Sequence, residues 1–443
     1  MTTVVRRIIE VVCFLCLFVG CGKLWRFILV DDTQSYTRIM MHQLYTCEND
    51  IDVLFVGSSH VYRSIIPESM DKELKCYTFN VGSSSQALDG SFAIIKEAAK
   101  RNNLKHVYLE CYYGVAMEER YIERSDLTST YIISDYMKFS LDKINYLVHA
   151  SSKKYWVNSF IVARRNWTKF GDIDYIKALV SKKTQDTYKR YEYVKADGVD
   201  EYYVDRGFVA SDMRVSNDIL FNETAYNAID IDFEGLKKTD WASSLSDIVT
   251  FCNKKGIEIT LFMAPEPEWT LVGTGDYSKY SDVISKFANL YGVEFYDFNL
   301  CRDEVFDANE RGLFKDEDHL NKWGAQQFSQ VFSNLIMGKQ SEKEIFYNNF
   351  DEKILDKNIA FYGIAGPFNN DETRVRRYRI ISGNPTSYEY RIKVLPSMGK
   401  ERLIQDFNDG LDFELPANES GEVTIEWRSI ENRENVYSEK IAY

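Results

Sequence analysis

Proline is scarce in this chain, 7 residues in 443, which argues against a long Pro-rich stalk. Basic charge is short too: 54 Lys and Arg against 67 Asp and Glu leave a net charge of −13. Nucleic-acid binding needs a basic face to neutralise phosphates, so the charge balance argues against that class of partner. Internal repeats and low-complexity tracts are missing. The 8 cysteines form no framework. Cys13, Cys16 and Cys21 fall in the first apolar run, while Cys47, Cys76, Cys111, Cys252 and Cys301 are scattered singly, with no CxxC step and no nearby histidine pair. Zinc is therefore not expected, no other metal or cofactor is indicated, and buried free thiols account for most of the scattered cysteines.

What remains is ordinary for a folded protein, with 45% hydrophobic and 27% charged residues and enough length for two or three domains. Aromatic content is high at 14%, with 30 Tyr. Such a surface suits sugars or other flat polar ligands; filling half-buried strand and helix positions is the competing explanation.

Arg6 and Arg7 precede the apolar run "IIEVVCFLCLFVGCG", and apolar character resumes in "LWRFILV" up to Val30. Residues 11–22 carry no charge, which is short for a span, whereas residues 8–30 form a helix of adequate length with Lys23 and Arg26 placed to snorkel. An uncleaved single-pass anchor over residues 1–30 is expected, with everything beyond residue 30 outside the cytoplasm. A cleaved signal peptide is one alternative, and a lipoprotein site at "FVGC", weakened by Phe18 three residues before Cys21, is another.

From residue 52 strand-like and helix-like segments alternate. "VLFVG" (53–57), "CYTFNVG" (76–82), "HVYLECYYG" (106–114), "IEITLFMAP" (257–265) and "VEFYDFN" (293–299) read as buried strands. Between them lie helical patterns: residues 87–102, then Leu245, Ile248, Val249 and Cys252, then Tyr280, Val283, Ile284, Phe287 and Leu290. A last helix carries Phe328, Val331, Phe332, Leu335 and Ile336. This alternation implies an α/β fold, a parallel sheet covered on both faces, over residues 31–342. Residues 115–240 form a long, Tyr-rich insertion, the size of a lid or binding subdomain. Beyond residue 345, "YEYRIKVL" and "GEVTIEWRSI" alternate polar and apolar residues, so 345–443 reads as a small β-sandwich.

The stretch "DVLFVGSSHVYRS" (52–64) runs from a buried strand through Gly57 into two serines and a histidine. Serine needs a base within hydrogen-bond reach to act as a nucleophile. His319 stands in "FKDEDHLNKWGA", after the fifth strand and before the last helix, with Asp316 three residues earlier to fix its tautomer. Ser59 and His319 thus fall at one sheet edge, the edge where ligands collect. His60 adjoins Ser59 but is expected to point elsewhere. Ser83, Ser84 and Ser85 read as caps, and Glu266 and Glu268 in "APEPE" as solvated loop residues. Asn166-Trp-Thr and Asn222-Glu-Thr match a glycosylation sequence, relevant only in a eukaryotic secretory setting.

Gly57-Ser58-Ser59 after the first strand, Gly82 in "FNVGSSS" after the second, and Asp316-x-x-His319 before the last helix resemble, in order, the blocks of the SGNH (GDSL-like) hydrolases. The family's third block, Gly-x-Asn-Asp, has no counterpart: the chain reads "LECYYG" there, and the Asn-Asp of "VSND" (215–218) lies far off. The resemblance covers residues 50–340. It implies a three-layer, flavodoxin-like α/β/α domain, with Ser59, His319 and Asp316 catalytic and the backbone N–H groups of Ser59 and Gly82 forming the oxyanion hole. With the N-terminal anchor and the insertion, the chain is most similar to membrane-anchored branches that move D-alanyl or acetyl esters on teichoic acids and exopolysaccharides. Such branches take their acyl group from a membrane-bound O-acyltransferase, the partner implied here. The expected function is an extracytoplasmic serine acyltransferase or esterase on cell-surface polysaccharide. The alternative is a non-catalytic, anchored scaffold of the same shape that binds polysaccharide.

Overall fold

The computed structural model describes residues 3–443 apart from 117–119, 216–230, 275–276 and 370–373. Asn217 and Asp218 of "VSND" and the acceptor Asn222 lie outside the described residues.

The five expected strands form one parallel sheet: β1 (Val53–Val56), β2 (Thr78–Asn80), β3 (His106–Glu110), β6 (Glu258–Met263) and β7 (Glu294–Asp297). The short strands β4 (Glu201–Tyr203) and β5 (Val209–Ser211) make an antiparallel hairpin inside the insertion. The sheet order is β2-β1-β3-β6-β7, so the chain leaves β1 on one side for β2 and crosses back to β3 on the other. That reversal is a topological switch point, where the strand ends open into a crevice.

Alternation along the strands sorts the core into two layers. Leu54, Val56, Val107, Leu109 and Leu261 point to one face. There they meet α3 (Leu88–Ala99), α4 (Asp240–Lys255) and α5 (Tyr277–Tyr291) through Ile94, Leu245, Ile248, Val283 and Ile284. Val53, Phe55, Tyr108 and Phe262 point to the other, where Phe328, Val331 and Phe332 of α6 (Lys322–Ile336) pack with Val61 of α2 (Ser59–Ser64). Period-2 strands and period-3.6 helices thus bury matching stripes on both faces. Leu290, read as part of a buried stripe, is instead exposed at the end of α5.

The C-terminal residues form two antiparallel sheets. One holds β10 (Tyr388–Pro396), β11 (Arg402–Asn408), β13 (Gly421–Ser429) and β14 (Tyr437–Ala442); the other holds β8 (Gly363–Asn369), β9 (Val375–Ile381) and β12 (Asp412–Pro416). Ile364, Tyr378 and Ile380 from one and Tyr390, Ile392, Val423 and Ile425 from the other share a single core.

The α/β core reaches further along the chain than residue 342. Ile345 joins the α6 side of the core, and Phe350, Ile354 and Tyr362 join the opposite side. The join is electrostatic as well. Glu268, fully buried, sits 3.1 Å from the ammonium groups of Lys353 and Lys357 and accepts the Tyr362 hydroxyl. It is no solvated loop residue.

The first helix, α1 (Thr3–Leu29), leaves its apolar side chains exposed, among them Leu15, Leu17 and Phe18. No helix among the described residues is long and apolar enough to cross a membrane. Between Glu10 and Lys23 the uncharged stretch 11–22 rises only about 18 Å, against a hydrocarbon core of about 30 Å.

Glu268→Ala should leave the fully buried Lys353 without a carboxylate partner at the junction, while Lys357 keeps Asp303. We expect a loss of about 3 kcal/mol in the free energy of unfolding, read by denaturant titration. A loss well under 1 kcal/mol would show that the junction does not depend on this pair.

Candidate active site

The turn after β1 is built to expose one serine. Ser58, not Ser59, is the N-cap of α2: its backbone is extended and its Oγ accepts the His60 N–H at 3.2 Å. Ser59 is left at the first helical position with its hydroxyl uncommitted to capping. Beneath the turn, Glu110 at the end of β3 accepts the Ser58 N–H at 2.6 Å. Gly57 makes room for that carboxylate, since a Cβ there would lie 2.5 Å from Glu110 Cβ and Oε2. Burial pushes the Glu110 carboxyl up to about 7, against the hydrogen bonds from Ser58 that lower it.

Ser59 and His319 meet across 260 residues, with His319 Nε2 2.8 Å from Ser59 Oγ. His319 Nδ1 lies 3.0 and 3.2 Å from the two oxygens of Asp316, and Asp316 Oδ1 also accepts the His319 backbone N–H at 2.8 Å. Burial would raise the Asp316 carboxyl, but its hydrogen bond and attraction to His319 outweigh that and hold it well below the usual carboxylate range. An ionised Asp316 takes Nδ1–H and leaves Nε2 as the acceptor for the serine proton. The three residues singled out by sequence are therefore together and in the right order.

The loop holding His319 is pinned by Asn321, a fully buried side chain that the motif reading passed over. Its Nδ2 donates to the carbonyls of Met213, Gly312 and Phe314, and its Oδ1 accepts from Trp323 and Gly324 at the start of α6. An Asn directly before a helical pattern is an N-cap signal, which could have marked it.

Gly82 departs from expectation. It stands beside the Ser58–Ser59 turn, where a Cβ would lie 2.8 Å from both Ser58 O and Tyr62 N, so only glycine fits. Its N–H, however, donates to Asn80 Oδ1 at 3.0 Å. Asn80 in turn ties down α2 through Val61 O and Ile65 O. Gly82 thus serves close packing in this conformation, and of the two expected oxyanion donors the first-turn N–H of Ser59 is the one without a bond to Asn80.

His60 does belong to the site. It is buried, with its ring stacked on His319 at 4.8 Å between centroids and tilted against Tyr112 at 4.2 Å. Nδ1 lies 3.1 Å from Ser58 Oγ, and Nε2 has no hydrogen-bond partner among the described residues. Burial, then the charge of His319, holds His60 well below the ordinary histidine value, so it is neutral. Glu266, read as solvated, is buried as well. It accepts the Tyr113 hydroxyl at 2.9 Å, and burial, reinforced by the charge of Asp318, raises its carboxyl well above normal. His60, Glu266 and Asp318 offer ligand atoms within 4.8 Å of one another, the one group among the described residues that could hold a metal ion. A carboxylate at the end of a buried parallel strand, or just past it, was the available signal for Glu110 and Glu266 respectively.

The insertion braces both the Ser59 turn and the His319 loop. Glu201 of β4 pairs with Arg63 of α2 at 2.5 Å and with Lys315, which lies 3.1 Å from Asp316 Oδ2. The hairpin docks on the end of β2 through Asn80 N–H to Arg206 O at 3.1 Å, and Gly207 there has a positive φ and no space for a Cβ against Asn80 O. A cavity of about 180 Å³ opens beside Gly82, walled by Tyr62, Ser84, Tyr36 and Tyr203.

No family model and no curated protein matches this chain.

Glu110 generates a pH prediction. The unfolded chain loses this proton near the ordinary 4.5 and the folded one near 7. Between those values only the folded protein holds the proton, so stability falls as pH rises across the window. Glu110→Gln keeps an acceptor for the Ser58 N–H without the ionisation. The stability difference between pH 5 and pH 8 should shrink by roughly 3 kcal/mol relative to the parent, measured by urea unfolding at each pH. An unchanged difference would show that Glu110 ionises normally in the fold.

Proposed function

We propose that the fold and site define a serine-dependent acyl-transfer enzyme. The observation that carries this reading is the continuous Ser59–His319–Asp316 relay, 2.8 Å and 3.0 Å long in its two links. His319 takes the proton of Ser59 Oγ as the oxygen attacks an ester carbonyl, and the negative charge that develops is met by the Ser59 N–H. The acyl group passes to serine, the alcohol leaves with the proton from His319, and a sugar hydroxyl or water then takes the acyl group.

Within that class, the particular protein we propose is an extracytoplasmic SGNH-type acyltransferase or esterase on cell-surface polysaccharide. The three sequence blocks, the sheet order and the glycine at position 82 support the SGNH reading. The tyrosine-walled cavity one turn of α2 from Ser59 supports a polyhydroxyl acceptor, and the acyl group moved would be acetyl or D-alanyl. A membrane-bound O-acyltransferase would supply it. We further propose that α1 anchors the chain, with Lys23 and Arg26 snorkelling to extend its short uncharged stretch. The rival reading, a non-catalytic scaffold, draws on the engaged N–H of Gly82.

A fluorophosphonate probe separates the two. The parent protein should label, and Ser59→Ala and His319→Ala should each lose labelling by at least about three orders of magnitude in rate. Ser58→Ala should keep labelling while losing about 1 kcal/mol of stability as a helix cap. Absence of labelling in the folded parent would leave the scaffold reading standing instead.

A further inference from the structure

The foot of α1 is held against the insertion. Trp25 meets Trp167 and Phe170 edge-on, at 5.6 and 5.3 Å, and those two rings stack on each other at 4.9 Å. The Tyr175 hydroxyl donates to Leu29 O at 3.1 Å, and Arg26 donates to Asp135 O at 2.6 Å. The helix therefore leaves the domain from a fixed point. Around that point the insertion leaves large apolar side chains in the open: Val157, Phe160, Ile161, Trp167, Phe170 and Ile173 are 41–57% exposed.

The charge of the same segment runs against the rest of the protein. In a chain of net charge −13, residues 153–169 ("KKYWVNSFIVARRNWTK") hold five basic residues and no acidic one. Lys153, Lys154, Arg164 and Lys169 are exposed and have no carboxylate partner among the described residues. Arg165 alone is paired, with Asp135.

We propose that residues 153–173 are an interfacial membrane contact that seats the domain on an anionic lipid surface beside α1. Trp and Phe mixed with Lys and Arg is the composition of the bilayer's interfacial zone. Protein–protein interfaces are depleted in lysine, and this segment carries three. Continuity with the exposed apolar surface of α1 selects the same occupant, and the short uncharged stretch of that helix leaves an interfacial contact to make up the hold. The inference rests on α1 as the anchor and not on the acyl chemistry.

The test uses the full chain in vesicles of phosphatidylcholine and phosphatidylglycerol, with some acyl chains brominated near the headgroup so that tryptophan at that depth is quenched. In a Trp25→Phe background, Trp167 fluorescence should be quenched, and Trp167→Phe should remove that component. Charge reversal at Lys153, Lys154 and Lys169 to Glu should cut the component by roughly half, and vesicles of phosphatidylcholine alone should do the same to the parent. Protein that floats with the vesicles while Trp167 stays unquenched overturns the proposal, and points to a protein partner on this face. Equal quenching with and without phosphatidylglycerol overturns the anionic-lipid part. Protein that does not float at all overturns the anchor reading and this one with it.

Discussion

The site depends on Phe332. Its ring lies 5.7 Å from Phe55, 5.2 Å from Tyr108, 5.2 Å from Phe262 and 4.6 Å from Phe298. One side chain on α6 thereby touches β1, β3, β6 and the turn after β7. Aromatic contacts of this density fix the axis of α6 relative to the sheet. The loop at the start of α6 carries His319, and the turn at the end of β1 carries Ser59. With the helix located by its aromatic seam and the loop located by Asn321, a 2.8 Å hydrogen bond across 260 residues follows from packing.

Around that bond the protein collects buried acids. Glu110 lies under the Ser58–Ser59 turn, and Glu266 and Asp318 lie beside His60. Burial of carboxyl groups near one another costs stability, which the apolar layers must offset. Glu110 holds the serine turn through the Ser58 N–H, so its cost is linked to positioning Ser59. His60 is buried and stacked on His319, a flat contact that supports the orientation of the His319 ring. A site held to one geometry needs supports of this kind around its reactive groups.

The insertion has two faces with different physics. Its inner face is polar and ordered: Glu201 bridges Arg63 and Lys315, and Gly207 approaches the β2 end at backbone distance. Its outer face, around Trp167 and Phe170, is apolar and basic. The same insertion thus braces the Ser59 turn and the His319 loop and holds the end of α1, so one segment connects α1 to the site.

Much of this was written in local pattern. Short apolar runs ending in glycine or proline marked the five parallel strands, because both faces of such strands are buried and the residues must be apolar throughout. Helical spacing marked α4, α5 and α6, and period-2 alternation marked the C-terminal strands. The meeting of Ser59, His319 and Asp316 was legible because a serine at a strand end and an Asp-x-x-His just before the last helix fall at one sheet edge. Other features were not. Glu266 and Glu268 share one short, Pro-flanked stretch, yet both are buried: Glu266 beside Tyr113, Glu268 paired with lysines some 85 residues further on. Gly82 was found, but the destination of its N–H was settled by Asn80 folding back. Burial and hydrogen-bond partnership are properties of three-dimensional neighbourhood, and neighbours so distant in sequence leave no local signature. The sequence alone determined which elements form and which residues could react; the tertiary structure decided which charges are buried, which donors are already engaged, and where the domain ends.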